Sequence, residues 1–259
     1  MTKKRSALIT GASAGLGAEF ARLFARDGYD LVLVARRRDR LEALATELRK
    51  AHGIRVEIIA ADLEDPSVPQ AIFDQTRATG LAINVLVNNA GFGTSGEFAR
   101  LPLDRELAMV QVNVMALLAL TRLFLPAMLA ERDGGILNIG STAGFQPGPG
   151  MATYYASKAM VISFSNALWF ELRGSGVTVT LSNPGATRTE FGARSGADQA
   201  KLFSRGVARG DQVAREAYQA MLRGRRQVIH GILNRLVVLI GSLTPTRILL
   251  SIAAGLNRK

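Results

Sequence analysis

Four short apolar runs, separated by longer amphipathic stretches, constrain this chain more than any other feature. "SALIT" (6–10), "DLVLVA" (30–35), "RVEIIAA" (55–61) and "INVLVNN" (83–89) each have the length and composition of a buried strand. Helix-like segments at about 15–27, 37–51 and 67–79 lie between them. Strands joined in this way run parallel, because a helical crossover returns the chain to the same edge direction. The helices then cover both sheet faces. The rhythm continues with "GILNIGS" (135–141), "VTVTLSN" (177–183) and "QVIHG" (227–231), and with helical runs at about 104–131, 152–173 and 209–223. The expected fold class is α/β: a single domain with a doubly wound parallel sheet of about seven strands.

"TGASAGLG" (10–17) fills the first strand-to-helix turn. Gly11 permits the tight turn, and Gly15 and Gly17 let the backbone approach a pyrophosphate and the helix pack on the sheet. The helix N-terminus adds N–H donors and positive dipole. A glycine-rich loop alone can be punctuation. Its place after the first strand of a βαβ unit points to a Rossmann-type dinucleotide site, with Gly11, Ser13, Ala14, Gly15, Leu16 and Gly17 as contacts. The second strand ends "LVLVARRR", with Ala35 where an NAD site carries an acid for the ribose 2′-hydroxyl, and Arg36 next. Arginine's planar fork suits a 2′-phosphate, so the expected cofactor is NADP(H), with Ser13 as a second donor. The competing view makes Arg36 to Arg38 a solvated helix start. Asp62 and Leu63 follow the third strand, where a carboxylate can accept from an adenine amino group. "NNAG" (88–91) follows the fourth, where Asn89, Ala90 and Gly91 allow close approach of a ribose.

"YYASK" (154–158) places two phenols ahead of one ammonium. On a helix Tyr154 is i,i+4 and Tyr155 i,i+3 to Lys158, so either can share its face. A nearby cation is expected to lower the phenol's pKa from about 10 toward a useful range. Asn113, in "VQVNVMALLAL", is out of place on an apolar helix face unless it has a task.

Taken together, "TGASAGLG", "NNAG", Asn113, Ser141 in "NIGSTAG", "YYASK" and "NPGATRT" resemble the short-chain dehydrogenase/reductase family over residues 6–191. The family's YxxxK motif matches Tyr154 and not Tyr155. The resemblance implies hydride transfer between a nicotinamide and a carbonyl or alcohol, with Tyr154 as acid/base and Lys158 lowering its pKa and binding the nicotinamide ribose. Ser141 would hydrogen-bond the carbonyl oxygen, and Asn113 would hold a water leading to Lys158. In "NPGATRT", Pro184, Gly185, Thr187 and Thr189 would contact the cofactor, Thr189 through the carboxamide; otherwise Thr189 is a helix cap. Phe92, Phe145, Met151 and Phe191 flank these motifs and suggest an apolar carbonyl substrate.

The remaining composition narrows the choices. There is no cysteine, which excludes disulfides, thiolate metal sites and cysteine nucleophiles and suits a reducing, cytoplasmic setting. The two histidines, His52 and His230, argue against a metal cluster or hydrolase triad, so no metal is expected. His230, at a strand end, is expected to be a satisfied structural residue. No signal peptide is visible at the start of the chain.

The formal charge of +11 is concentrated late. Residues 1–200 hold 21 Lys and Arg against 19 Asp and Glu, and residues 201–259 hold 11 against 2. Residues 1–231 therefore read as the catalytic unit and 232–259 as an apolar, basic extension of it, two short helices with Thr244 capping the second and Pro245 opening it. That extension departs from the family pattern and is weakly similar to ketoacyl reductases with hydrophobic C-terminal extensions. It must cover a neighbouring subunit, the substrate cleft or an anionic membrane, and the first two are favoured. Nucleic acid is not an expected partner, since the tail's cations alternate with aliphatics. The resemblance implies a dimer or tetramer built through the helices at about 104–131 and 152–173. Two alternatives accompany the reductase reading: a nucleotide-sensing protein that keeps the fold without turnover, and a membrane-associated reductase of long-chain acyl substrates.

Overall fold

A computed structural model describes residues 4–192 and 207–257. Strands β1 (Ser6–Thr10), β2 (Asp30–Ala35), β3 (Val56–Ala60), β4 (Val85–Asn88), β5 (Gly134–Ile139) and β6 (Val177–Asn183) lie where the apolar runs place them. Two-residue strands β7 (Thr187–Arg188) and β8 (Ala208–Arg209) pair with each other; they are too short to leave a pattern in the sequence. Strand β9 (Gln227–Ile229) completes the main sheet, which is parallel throughout in the order β3-β2-β1-β4-β5-β6-β9. The chain works outward from β1 to β3, then restarts on the other side of β1 with β4. Loops leaving β1 and β4 therefore diverge, and the crevice between them is where a ligand can enter such a sheet.

Side chains alternate across the strands, so one run of apolar residues feeds two cores. Ala7, Ile9, Leu31 and Leu33 face α1 (Gly15–Arg26), α2 (Arg38–His52) and α7 (Gly210–Leu222), where Phe20, Phe24, Leu41 and Tyr218 are buried. Leu8, Val32 and Val34 face the opposite layer, made by α3 (Val68–Ala78), α5 (Ala116–Glu131) and α6 (Ala152–Glu171), with Ile72, Leu120, Phe124 and Leu168.

The run expected as one long helix is interrupted. Helix α4 (Leu103–Val110) passes through a π-helical turn, Gln111–Met115, before α5 begins. Such turns insert one extra residue and often occur at functional sites. Asn113 sits in this one. Leu103–Glu131 is long and apolar enough to cross a membrane, but 50% of its most apolar window is buried within the protein, as in a core helix.

The tail forms α8 (Ile232–Leu243) and α9 (Thr246–Asn257). Thr244 does not cap α9 as expected. Its hydroxyl donates back to the Ile240 carbonyl at 2.8 Å and so closes the end of α8. Pro245 provides the first acceptor of α9 instead, its carbonyl receiving the N–H of Ile248 (3.0 Å) and Leu249 (3.2 Å). A threonine hydroxyl can satisfy either helix, and the orphan carbonyls of the preceding one were within reach.

Candidate active site

The glycine loop is shaped by close approach. Gly11 has φ +66°, a conformation that disfavours any side chain. A Cβ at Gly17 would run into the Gly11 carbonyl, so glycine there keeps α1 tight against the turn. The loop is fastened to the strand beside it. Thr10 Oγ1 accepts the backbone N–H groups of Asn89 and Ala90, both at 3.0 Å, and Asn89 Nδ2 donates to the Thr10 carbonyl at 2.8 Å. The ends of β1 and β4 are thereby held as one rigid rim.

Below this rim lies a cleft of about 730 Å³. It is lined by Gly11, Ser13, Ala14, Gly15 and Leu16, by Arg36, Asp62 and Leu63, and by Asn89, Ala90 and Gly91. Ser141, Tyr154, Lys158, Pro184, Gly185, Thr187 and Thr189 line the other end, with Phe92, Phe145, Met151 and Phe191. Of the residues expected at the site, only Gly17 and Asn113 lie behind the wall. A loop with no room for side chains at Gly11 and Gly17, a helix N-terminus and two arginines at the far end fit a dinucleotide carrying phosphates.

The arginines divide the work differently from the expectation. Arg36 turns toward acids, 2.9 Å from Glu64 and 3.5 Å from Asp62. Arg37, which the sequence reading passed over, is less exposed and lies over the glycine loop. Its guanidinium donates to Ser13 Oγ at 3.3 Å and pairs with Glu190 at 3.0 Å. The triplet "RRR" carried no signal as to which member would face inward.

At the other end, Ser141 leaves β5 and its Oγ accepts the Ala143 N–H at 3.1 Å, closing a short 3-10 turn, Thr142–Phe145. Tyr154, on the first turn of α6, packs its ring 5.3 Å from that of Phe191. Burial pushes the Tyr154 phenol up to about 12, against a smaller opposing pull from a hydrogen bond with Ser141. Lys158 Nζ donates to the Ile139 carbonyl at 2.9 Å and stands 5.9 Å from the Tyr154 ring centre. Burial brings this ammonium down to about 8. In the single chain desolvation outweighs any lowering of the Tyr154 phenol by Lys158, whose ammonium is turned toward the end of β5.

Asn113 does not reach the cleft. Its side chain clasps the loop after β4, accepting the Phe92 N–H at 3.0 Å and donating to the Phe92 carbonyl at 2.9 Å and Ser157 Oγ at 3.1 Å. A Cβ at Gly91 would meet Asn113 Oδ1 at 2.9 Å, so glycine is required for that clasp. Thr189 Oγ1 accepts the Phe191 N–H at 3.3 Å, a cap-like contact. His230 is buried and satisfied, with Nε2 2.9 Å from Ser182 Oγ and Nδ1 2.8 Å from Glu216 Oε2. Its own carbonyl accepts from Asn234 Nδ2 at 2.7 Å, which anchors the start of α8. Helix α8 in turn supplies Leu233, Asn234, Val237, Val238 and Gly241 to the cleft wall. The cleft was one of the two surfaces the tail was expected to cover, and α8 does cover it; the individual residues could not be named from an apolar run alone. Among the described residues, no cluster of three or more His, Asp or Glu side chains is arranged to hold a metal.

Comparison with known proteins agrees with this architecture. Residues 5–200 match the family model for short chain dehydrogenases. Sulfoacetaldehyde reductase 2 of Chromohalobacter salexigens is 39% identical over 199 residues, spanning 74% of this chain and 77% of that protein. A short-chain dehydrogenase from Sphingobium yanoikuyae, solved with NADPH, superposes with a TM-score of 0.81 at 37% identity, over 92% of this chain and 93% of that one. The bulky-bulky ketone specific alcohol dehydrogenase from Comamonas testosteroni does so with a TM-score of 0.79 at 32% identity, over 93% and 94%. The chain belongs to the short-chain dehydrogenase/reductase family of nicotinamide-dependent oxidoreductases.

Proposed function

We propose that this chain is an NADP(H)-dependent reductase of apolar ketones or aldehydes, working reversibly on the corresponding alcohols. The observation that carries this is the convergence of Ser141, Tyr154 and Lys158 on one end of a cleft whose other end carries the glycine loop, Arg36 and Arg37. A bound nicotinamide supplies or accepts the hydride. The protein's part is to hold the carbonyl oxygen and to move one proton. The Ser141 hydroxyl and the Tyr154 phenol can each donate to that oxygen, and Tyr154 passes its proton to the alkoxide as negative charge develops. A phenol raised to about 12 stays protonated at neutral pH, which suits the reductive direction. The Lys158 ammonium favours the phenolate left behind and is held in place by the Ile139 carbonyl. Asn113 acts by positioning, since it fixes the loop carrying Phe92 across from Tyr154.

Arg36, Arg37 and Ser13 support recognition of a 2′-phosphate, which would take the place of Glu64 and Glu190 as the arginines' partner, and β2 ends in Ala35 rather than an acid. The NADPH in the Sphingobium relative is in keeping with this. Phe145, Met151, Phe191, Leu233 and Val237 make the substrate end apolar, which supports a bulky hydrophobic carbonyl compound over a small charged one. Residues 1–231 and 232–259 act as one unit, because α8 is a wall of the cleft. The exposed faces of α4 to α6 support assembly into a dimer or tetramer, with Leu107, Met115 and Phe170 open to solvent in the single chain. A panel of aromatic, alicyclic and long-chain carbonyl compounds, followed by loss of NADPH absorbance, tests the proposal. Turnover of bulky ketones is expected, and no turnover of any carbonyl or alcohol with either cofactor would refute it.

A further inference from the structure

Helix α8 is apolar on two sides. Asn234, Val237, Val238 and Gly241 face the cleft. Ile232, Leu236, Leu239, Ile240 and Leu243 recur at spacings of four, three, one and three residues, and so form one stripe on the outer side. That stripe is open: Ile232 is 76% exposed, Leu239 and Ile240 61%, and Leu243 82%. Ile248 and Ile252 of α9, four residues apart, are also exposed. Single exposed aliphatics are ordinary, but a continuous stripe of five is not. Leu233 and Val237 belong to both surfaces, lining the cleft while 73% and 48% exposed, so the stripe runs into the mouth of the cleft.

Charge identifies what covers it. The last acidic residue is Glu216, and residues 217–259 contain seven Lys and Arg with no Asp or Glu. Arg235, one residue before Leu236 on α8, is exposed, with its Nε donating to the Ile229 carbonyl at 2.9 Å, and Arg247 on α9 is exposed as well. A two-fold contact between copies of this surface would bring arginines and no carboxylate from either side. An anionic bilayer complements both features, accepting the aliphatic stripe at its acyl boundary and the arginines among its headgroups. We propose that the outer face of α8, flanked by α9, docks the mouth of the cleft onto an anionic lipid surface, so that apolar substrates enter from the bilayer.

The full chain should sediment with large unilamellar vesicles of phosphatidylglycerol and phosphatidylcholine, and much less with phosphatidylcholine alone. Raising the salt should weaken binding, since the arginine contribution is screened. The triple variant Leu236→Ser, Leu239→Ser, Leu243→Ser changes only the open face and should bind at least about tenfold more weakly. Arg235→Gln with Arg247→Gln should cost a comparable factor, at roughly fivefold per cation. A single Leu239→Trp variant gives an independent readout: its emission should shift to the blue on adding anionic vesicles. No sedimentation of the unmodified chain would overturn the proposal. So would binding unchanged by both sets of substitutions, or a discrete oligomer that the triple variant dissolves and that binds no lipid. None of these measurements uses turnover, so the result stands apart from the identity of the substrate.

Discussion

Lys158 is held by Ile139: its ammonium donates to that backbone carbonyl at 2.9 Å, at the end of β5 and under the Tyr154 ring. A buried cation with one carbonyl as its hydrogen-bond partner is poorly compensated, which is why its pKa falls to about 8. In the proposed mechanism this residue serves the chemistry at a cost to the fold.

That cost is measurable. Above about pH 10.4 neither the folded nor the unfolded chain protonates Lys158. As pH falls toward about 8 the unfolded chain binds a proton that the folded chain resists, so the folded state loses relative stability. Below about 8 the loss is complete. Lys158→Met should therefore be more stable than the parent at pH 7, by up to roughly 3 kcal/mol less the value of the lost Ile139 hydrogen bond. The advantage should vanish near pH 10.5. Denaturant unfolding at both pH values checks this, and a methionine variant less stable at pH 7 would contradict it.

The same group should set the alkaline limb of activity. If the Lys158 charge supports the phenolate that forms on Tyr154, reduction should slow as pH rises through about 8, while the phenol itself remains protonated. Lys158→Arg, which keeps its charge over this range, should lose that limb even if its rate is low. A pH profile of kcat/KM between 6 and 10 decides the matter.

How much of this was legible in the sequence follows from what each signal depends on. The strands could be placed because a parallel strand covered on both faces must be apolar along its whole length, as "DLVLVA" is. The cleft could be placed because Gly11 and Gly17 have steric reasons that hold in any chain that turns there. Tyr154, Lys158 and Ser141 were found by motif, and their meeting across the α6 and β5 ends follows from the crossover between those elements. Other features depend on tertiary contact. Which of Arg36 and Arg37 turns inward is set by Ser13 and Glu190, far away in sequence. The raised pKa of Tyr154 comes from burial that no local spacing encodes. That the tail covers the cleft was among the expectations, but which of its residues do so was hidden, because Leu233 and Val237 look like any apolar tail until Asn234, His230 and Glu216 fix the helix beside the cleft.

Cofactor choice should depend on both arginines. Arg37→Ala removes the donor nearest Ser13, and Arg36→Ala removes one whose guanidinium must leave Glu64 and Asp62 to reach a phosphate. Each should weaken NADPH binding by roughly 1.5–3 kcal/mol, with Arg37→Ala at the upper end. Binding of NADH should change little. Titration of intrinsic fluorescence with the two cofactors measures the difference, and equal affinity for both in the unmodified protein would contradict the NADP(H) assignment.

The two phenols of "YYASK" should separate cleanly. Tyr154 lies within hydrogen-bond reach of Ser141, at the end of the cleft where Lys158 is buried. Tyr155 also lines the cleft, but its ring is committed to packing: a Cβ at Gly148 would run into it, and it stands edge-on to Tyr154 at 6.2 Å. Tyr154→Phe removes the proton donor and leaves the ring in place, so kcat should fall by about a hundredfold to ten-thousandfold with cofactor binding unchanged. Tyr155→Phe keeps the packed ring and loses one hydroxyl, so activity should stay within about tenfold of the parent. Single-turnover rates and NADPH titrations on both variants distinguish these outcomes. A reversal, with Tyr155→Phe inactive and Tyr154→Phe active, would move the acid one residue along the helix and leave Ser141 without its partner.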